Sequence, residues 1–182
     1  MKTIVSLLIV ACLAACATSD KDNVKEAQNK DIDISVDKKV SKFLAEAVDA
    51  RMMDIAQGKL AMERGVTPDV KAYGELMVKD QTEMLSELRT LAASKNIKLS
   101  TKLSDEKSDG LEDLKKQKGY DFDEKFVKMM IIDHRRDVKD FEKATEFKDE
   151  DVRKFADTYL PIVESHLDKI KDLKQRSKVA ES

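Results

Sequence analysis

His134 and His166 are the only imidazoles in this 182-residue chain, and each falls on an apolar stripe when the sequence is stepped at helical pitch. His134 lies inside the arc formed by Phe122, Phe126, Met129, Met130, Val138, Phe141 and Ala144, with Asp133 and Asp137 to one side. His166 falls among Val152, Phe155, Ala156, Tyr159, Leu160, Val163, Leu167 and Ile170. Two further segments carry one polar residue each on the same kind of stripe. Asp54 sits among Val40, Phe43, Leu44, Ala47, Ala50, Gly58, Ala61 and Met62, and Gln81 among Val70, Gly74, Met77, Val78, Met84, Leu85, Leu88 and Ala92. Four helices that each point one such side chain inward bring imidazole and carboxylate together, a donor set for a divalent transition metal with His134, His166 and Asp54 as ligands. The same residues also suit a buried hydrogen-bond network. Arg51 lies one turn before Asp54 and satisfies it as an i, i+3 ion pair, and each histidine has a carboxylate to pair with, His134 with Asp137 or His166 with Asp54. Counted from the hairpin turns, the two histidines differ in depth by roughly one helical turn, ~5 Å.

Other chemistries lack their residues. The Glu-x-x-His pair of di-iron bundle oxidases is missing, because Ile131 and Val163 stand three residues before His134 and His166. There is no glycine-rich phosphate loop and no Gly-x-Ser-x-Gly. The methionines at helical spacing read as core filler. Both cysteines lie near the start of the chain, so the remainder has no thiol for catalysis, a disulfide or a thiolate metal site.

That start, MKTIVSLLIVACLAAC, resembles a bacterial lipoprotein signal peptide: basic Lys2, an apolar run from Ile4 to Leu13, then Leu13-Ala14-Ala15-Cys16. The run is too short to span a bilayer. The resemblance makes residues 1–16 a cleaved leader and Cys16 the lipidated N-terminus. It implies a protein held to the membrane of the cell envelope through its acyl chains; Ala17 in place of an aspartate after Cys16 points to the outer membrane, facing the periplasm, and the acidic Ser19-Asp20-Lys21-Asp22 stretch leaves surface export open. Residues 17–37 are polar and acidic and read as a flexible tether, ahead of a domain over 38–178.

Elements that position the histidines follow from composition and punctuation. With 38% charged residues, 5% aromatics, two prolines and five glycines, the chain is built for helix. Its 34 basic and 36 acidic residues nearly cancel and are interspersed, which excludes a nucleic-acid footprint. The first helix is expected from between Asp37 and Ser41 to Arg64, with Gly65 as its stop. Thr67 as N-cap and Pro68 at the first position start the second, which runs to Ser94. A crossover from Lys95 to Tyr120 carries a short amphipathic piece with Leu103, Leu111 and Leu114. An Asp121-x-x-Glu124 capping pattern opens the third long helix, to Glu146, and Asp149, Glu150 and Asp151 open the fourth, to Arg176, with a kink near Pro161. The fold class is all-α, a ferritin-like four-helix bundle whose long crossover holds a short helix.

The segments ARMMDIAQGKLA (50–61), YGELMVKDQ (73–81), FDEKFVKMMIIDH (122–134) and LPIVESHL (160–167) resemble a family of bacterial envelope proteins of unknown function. Its members are often labelled predicted outer membrane proteins, and their domain is ferritin-like. The family usually has glutamate at the position of Asp54, histidine at that of Gln81 and tyrosine at that of Phe126; its two inward histidines match His134 and His166. The resemblance implies the bundle fold and no established activity. It leaves two function classes: a non-enzymatic envelope lipoprotein acting by protein or surface contact, its protein partner unknown, which the sequence favours, and a metal-binding or redox-protective ferritin-like protein.

Overall fold

A computed structural model describes the backbone of residues 20–180 and the side chains of residues 38–176. Among them are five helices and no strand: α1 (Asp20–Arg64), α2 (Pro68–Ser94), α3 (Asp105–Lys115), α4 (Tyr120–Ala144) and α5 (Glu150–Ala180). The chain divides into two units, Met1–Ser35 and Val36–Ser182. Helix α1 therefore begins well before the expected start near residues 37–41. The stretch offers no glycine or proline to stop it, so its polar composition does not interrupt the helix. The leader, Cys16 and the first residues of the expected tether lie outside the described residues; the rest of that segment, from Asp20, is helical backbone.

Helix α2 has the expected ends. Thr67 adopts extended backbone and its hydroxyl accepts from the Val70 N–H at 3.4 Å, with Pro68 behind it where no donor is needed. Asp123 of α4 holds the α1–α2 turn from outside, its carboxylate accepting from the Val66 and Thr67 N–H groups and the Thr67 hydroxyl at 2.8–2.9 Å. Gly58 and Gly74 let the two helices meet backbone to backbone: a Cβ on either would stand 2.7 Å from the other's carbonyl oxygen. Ala61 is buried at this approach and its neighbour Met62 faces outward, 43% exposed, against the expectation that Met62 faces the core.

The segment between α2 and α4 is tied down at both ends of α3. Ser104 caps it and donates, through its own N–H and hydroxyl, to Asp49 of α1. Arg64 donates to the carbonyls of Lys115, the last residue of α3, and of Gln117 beyond it. Leu114 is fully buried, while the expected Asp121 cap is absent: α4 starts two residues earlier, after Gly119 at φ 59°, and no side chain caps it. Positive φ suits a residue without Cβ, so glycine sets the entry to α4 instead of a capping box. Asp149 does cap α5, accepting from the Val152 N–H, and α5 is continuous through Pro161.

Helix α4 packs most extensively on α5, α2 also packs on α5, and α3 rests on α4. The buried apolar residues form two clusters. One gathers Val40–Val48 of α1, Met84–Ala92 of α2, Phe141 and Ala144 of α4 and Val152–Val163 of α5. The other gathers Ala61, Val70–Met77, Leu114, Phe122–Ile131 and Leu167–Leu173. Along each of α1, α2, α4 and α5 the two clusters are separated by buried polar residues: Arg51, Asp54 and Gln57; Gln81; His134 and Asp137; His166. A polar layer thus crosses the core between two apolar halves.

Candidate functional site

All four residues singled out on the stripes, Asp54, Gln81, His134 and His166, are buried in this layer. The expected one-turn offset between the histidines does not keep them apart: their rings stand 5.7 Å apart between centroids, edge to face at 75°. Their partners differ from those the spacing offered. His134 Nδ1 lies 3.0 Å from the Met130 carbonyl, one turn back on α4, and His166 Nε2 lies 2.9 Å from Asp80 Oδ2 on α2. Neither His134 with Asp137 nor His166 with Asp54 is hydrogen-bonded.

These contacts fix the tautomers. A carbonyl and a carboxylate only accept, so His134 carries its proton on Nδ1 and His166 on Nε2. The opposite nitrogens, His134 Nε2 and His166 Nδ1, are lone-pair atoms. Both are buried and without a hydrogen-bond partner among the described residues. Burial, opposed by Asp137, holds the His134 pKa down to about 4, and burial, opposed by Asp80, lowers that of His166. Both rings are therefore neutral near pH 7. An imidazole whose outer N–H is held by a carbonyl or carboxylate while its inner nitrogen is free has the orientation of a metal ligand.

Arg51 is the residue whose reach the sequence did not reveal. The expected pair with Asp54 is present at 3.1 Å, without the alignment of a hydrogen bond, but the guanidinium donates its hydrogen bond to Asp137 of α4. Arg51 is 0% exposed; it also contacts Met84 Sδ at 3.2 Å and lies 5.9 Å from the centre of the Phe141 ring. One cation thus serves two carboxylates. Burial pushes the Asp54 pKa up to about 8 even against the pull of Arg51, so Asp54 carries much of its proton at neutral pH.

Ligand atoms of Asp54, His134 and Asp137 all lie within 4.8 Å of one another, close enough to converge on one ion. Gln81 and Gln57 each turn a side-chain amide N–H toward a methionine sulfur, Met77 at 3.8 Å and Met129 at 3.9 Å, and leave their carbonyl oxygens buried without a partner. Gln57 and Tyr73, whose hydroxyl donates to the His166 carbonyl, were not singled out by the sequence. Gln57 did carry a signal, since it follows Asp54 by one turn on the stripe of Arg51. Asp80 gives the layer its edge, with 24% of its side chain exposed.

An all-helical domain with a buried histidine and carboxylate layer is the class that this geometry defines. The chain belongs to the family described as a domain of unknown function, DUF4142, which matches residues 23–173. No curated protein matches the sequence. Two solved structures share the fold. A DUF305 fragment from Deinococcus radiodurans is 12% identical, with a TM-score of 0.68, covering 76% of this chain and 96% of its own. CopM in the Cu(I)-bound form is 16% identical, with a TM-score of 0.63, covering 75% and 96% respectively.

Proposed function

We propose that this protein is a lipid-anchored envelope protein whose ferritin-like four-helix bundle, with α3 in its crossover, binds a transition metal ion between its helices without catalysing a reaction. The observation that carries this is the pair of neutral imidazoles, each oriented through one nitrogen and each presenting the other, buried and unpartnered, to the layer. A core network that existed for stability would satisfy its members, because a half-satisfied one is worse than an apolar core. Four buried lone-pair atoms, the amide oxygens of Gln57 and Gln81, His134 Nε2 and His166 Nδ1, lack hydrogen-bond partners. This reverses the order of the two function classes that the sequence favoured.

His134 and His166 supply the nitrogens, with Asp54 and Asp137 within reach of His134; Asp80 orients His166 and opens the layer to solvent. The structural likeness to a protein solved in its Cu(I)-bound form supports copper as the ion. Gln81, where the resembling family has histidine, removes one imidazole without removing the pair. The leader and Cys16 support the anchor.

The test is elemental analysis and metal titration of the full chain, purified without a histidine tag, beside His134→Ala and His166→Ala. Stoichiometric binding by the native protein, weakened at least tenfold in both variants, is the expected result. A native protein that binds no transition metal, or variants that bind as well as it does, would overturn the proposal.

A further inference from the structure

Two donor sets in the polar layer share His134. The first is Asp54, Asp137 and His134, whose ligand atoms lie within 4.8 Å of one another. Two carboxylates and an imidazole suit a divalent ion such as Zn(II) or Mn(II). The second is His134 Nε2 with His166 Nδ1, two neutral nitrogens in rings 5.7 Å apart.

Arg51 occupies the first set. Its guanidinium is bonded to Asp137 and stands 3.1 Å from Asp54, with no exposure to solvent that would screen its charge. A divalent ion on the carboxylates would meet this buried cation and have to displace it. A univalent ion on the imidazole pair brings half the charge and leaves the ion pair intact. Cu(I) accepts two nitrogen donors nearly in line. Two metal–nitrogen bonds of about 2 Å span about 4 Å between nitrogens, and the two ring centres stand 5.7 Å apart. Two methionine sulfurs, which are soft acceptors, also reach the layer: Met84 beside Arg51 and Met77 beside Gln81.

We propose that Arg51 makes the layer selective for Cu(I), held between His134 and His166, by keeping Asp54 and Asp137 from divalent ions. This rests on the metal-binding function proposed above and names its ion.

The full chain, purified without a histidine tag, would be titrated anaerobically with Cu(I) against a chromophoric Cu(I) chelator and separately with Zn(II) against a zinc dye. Native protein is expected to bind one Cu(I), and Zn(II) more weakly by roughly a hundredfold or more. Arg51→Gln should tighten Zn(II) at least tenfold. His166→Ala should weaken Cu(I) at least tenfold, yet in the Arg51→Gln background keep the gained Zn(II) site, which does not use His166. An Arg51→Gln protein with unchanged Zn(II) affinity, or a native protein that prefers Zn(II), overturns the selectivity and leaves metal binding standing. Native protein that binds neither ion overturns the metal-binding function itself. X-ray absorption of the Cu(I)-loaded native protein needs no variant to fold: two imidazole nitrogens are expected, and carboxylate oxygen in the shell overturns the proposal.

Discussion

Replacing Arg51 by Met keeps most of the side-chain volume and removes the one cation of the polar layer. Arg51 is 0% exposed and the Asp137 side chain 10% exposed, so water can do little for the carboxylate left behind. Breaking a buried pair by removing one partner costs about 3–5 kcal/mol. The low end applies, because Asp54 already carries much of its proton at neutral pH and only Asp137 is left as an uncompensated charge. The lost contact with the Phe141 ring, 5.9 Å from the guanidinium carbon, adds about 0.5–2 kcal/mol. A loss of about 3.5–5 kcal/mol is expected in urea denaturation followed by far-ultraviolet circular dichroism. The melting temperature should fall by roughly 7–20 °C, at about 2–4 °C per kcal/mol for a domain of this size. Adding Asp137→Asn removes the stranded charge, so the double variant should be more stable than Arg51→Met alone, with non-additivity of about 1–3 kcal/mol. A loss below about 1 kcal/mol for Arg51→Met, or strict additivity with Asp137→Asn, would refute the reasoning.

Stability should depend on pH through the same layer. Asp54, raised to about 8, binds a proton in the folded chain that the unfolded chain releases, so its contribution is lost as pH climbs from about 4 to 8. His134, lowered to about 4, acts oppositely up to its unfolded value near 6.5, with His166 shifted in the same direction. A decline between about pH 6.5 and 8 is therefore owed to Asp54, and urea midpoints should show it in native protein and not in Asp54→Asn; a flat native profile would contradict it. Gly74→Ala places a Cβ 2.7 Å from the Gly58 carbonyl and should cost about 1–3 kcal/mol, whereas Gly110→Ala, whose nearest neighbour is 3.6 Å away, should be neutral or gain up to about 1 kcal/mol. Equal thermal shifts for the two would argue against the close α1–α2 approach. Cys16→Ser should abolish acylation and release the protein from the membrane fraction, and retention there without acyl chains would refute the anchor.

Local chemistry made much of this fold legible. Thr67, Pro68 and Asp149 act at their own helix ends, and their roles could be read from a few neighbouring residues. The inward placement of Asp54, Gln81, His134 and His166 was also readable, because helical periodicity reports which way a side chain points. It does not report what the side chain meets. Arg51 finds Asp137 across 86 residues, and His166 finds Asp80 across the same separation; both matches depend on how α1, α2, α4 and α5 settle against one another. Met62 lies just past the edge of the buried stripe, outside the Gly58–Gly74 contact that buries Ala61, and the width of a stripe is not something periodicity reports. The continuation of α1 back to Asp20 shows the reverse limit: a polar stretch without glycine or proline carries no local signal that ends a helix.

The polar layer between two apolar halves also acts as a key for alignment. Leucine, methionine, alanine and valine on both sides of it are forgiving partners, and a helix shifted along its neighbours by one turn, about 5.4 Å, would still find apolar surface to bury. The same shift would carry Arg51 or His134 into an apolar half, away from Asp137 or the second imidazole, where a polar group has nothing to bond. Mis-slipped packings are thereby penalised more heavily than the aligned one is rewarded, as a single buried polar residue does for coiled-coil register. Filling the layer with apolar side chains should then yield a protein that remains helical but shows several sets of amide resonances where the native chain shows one.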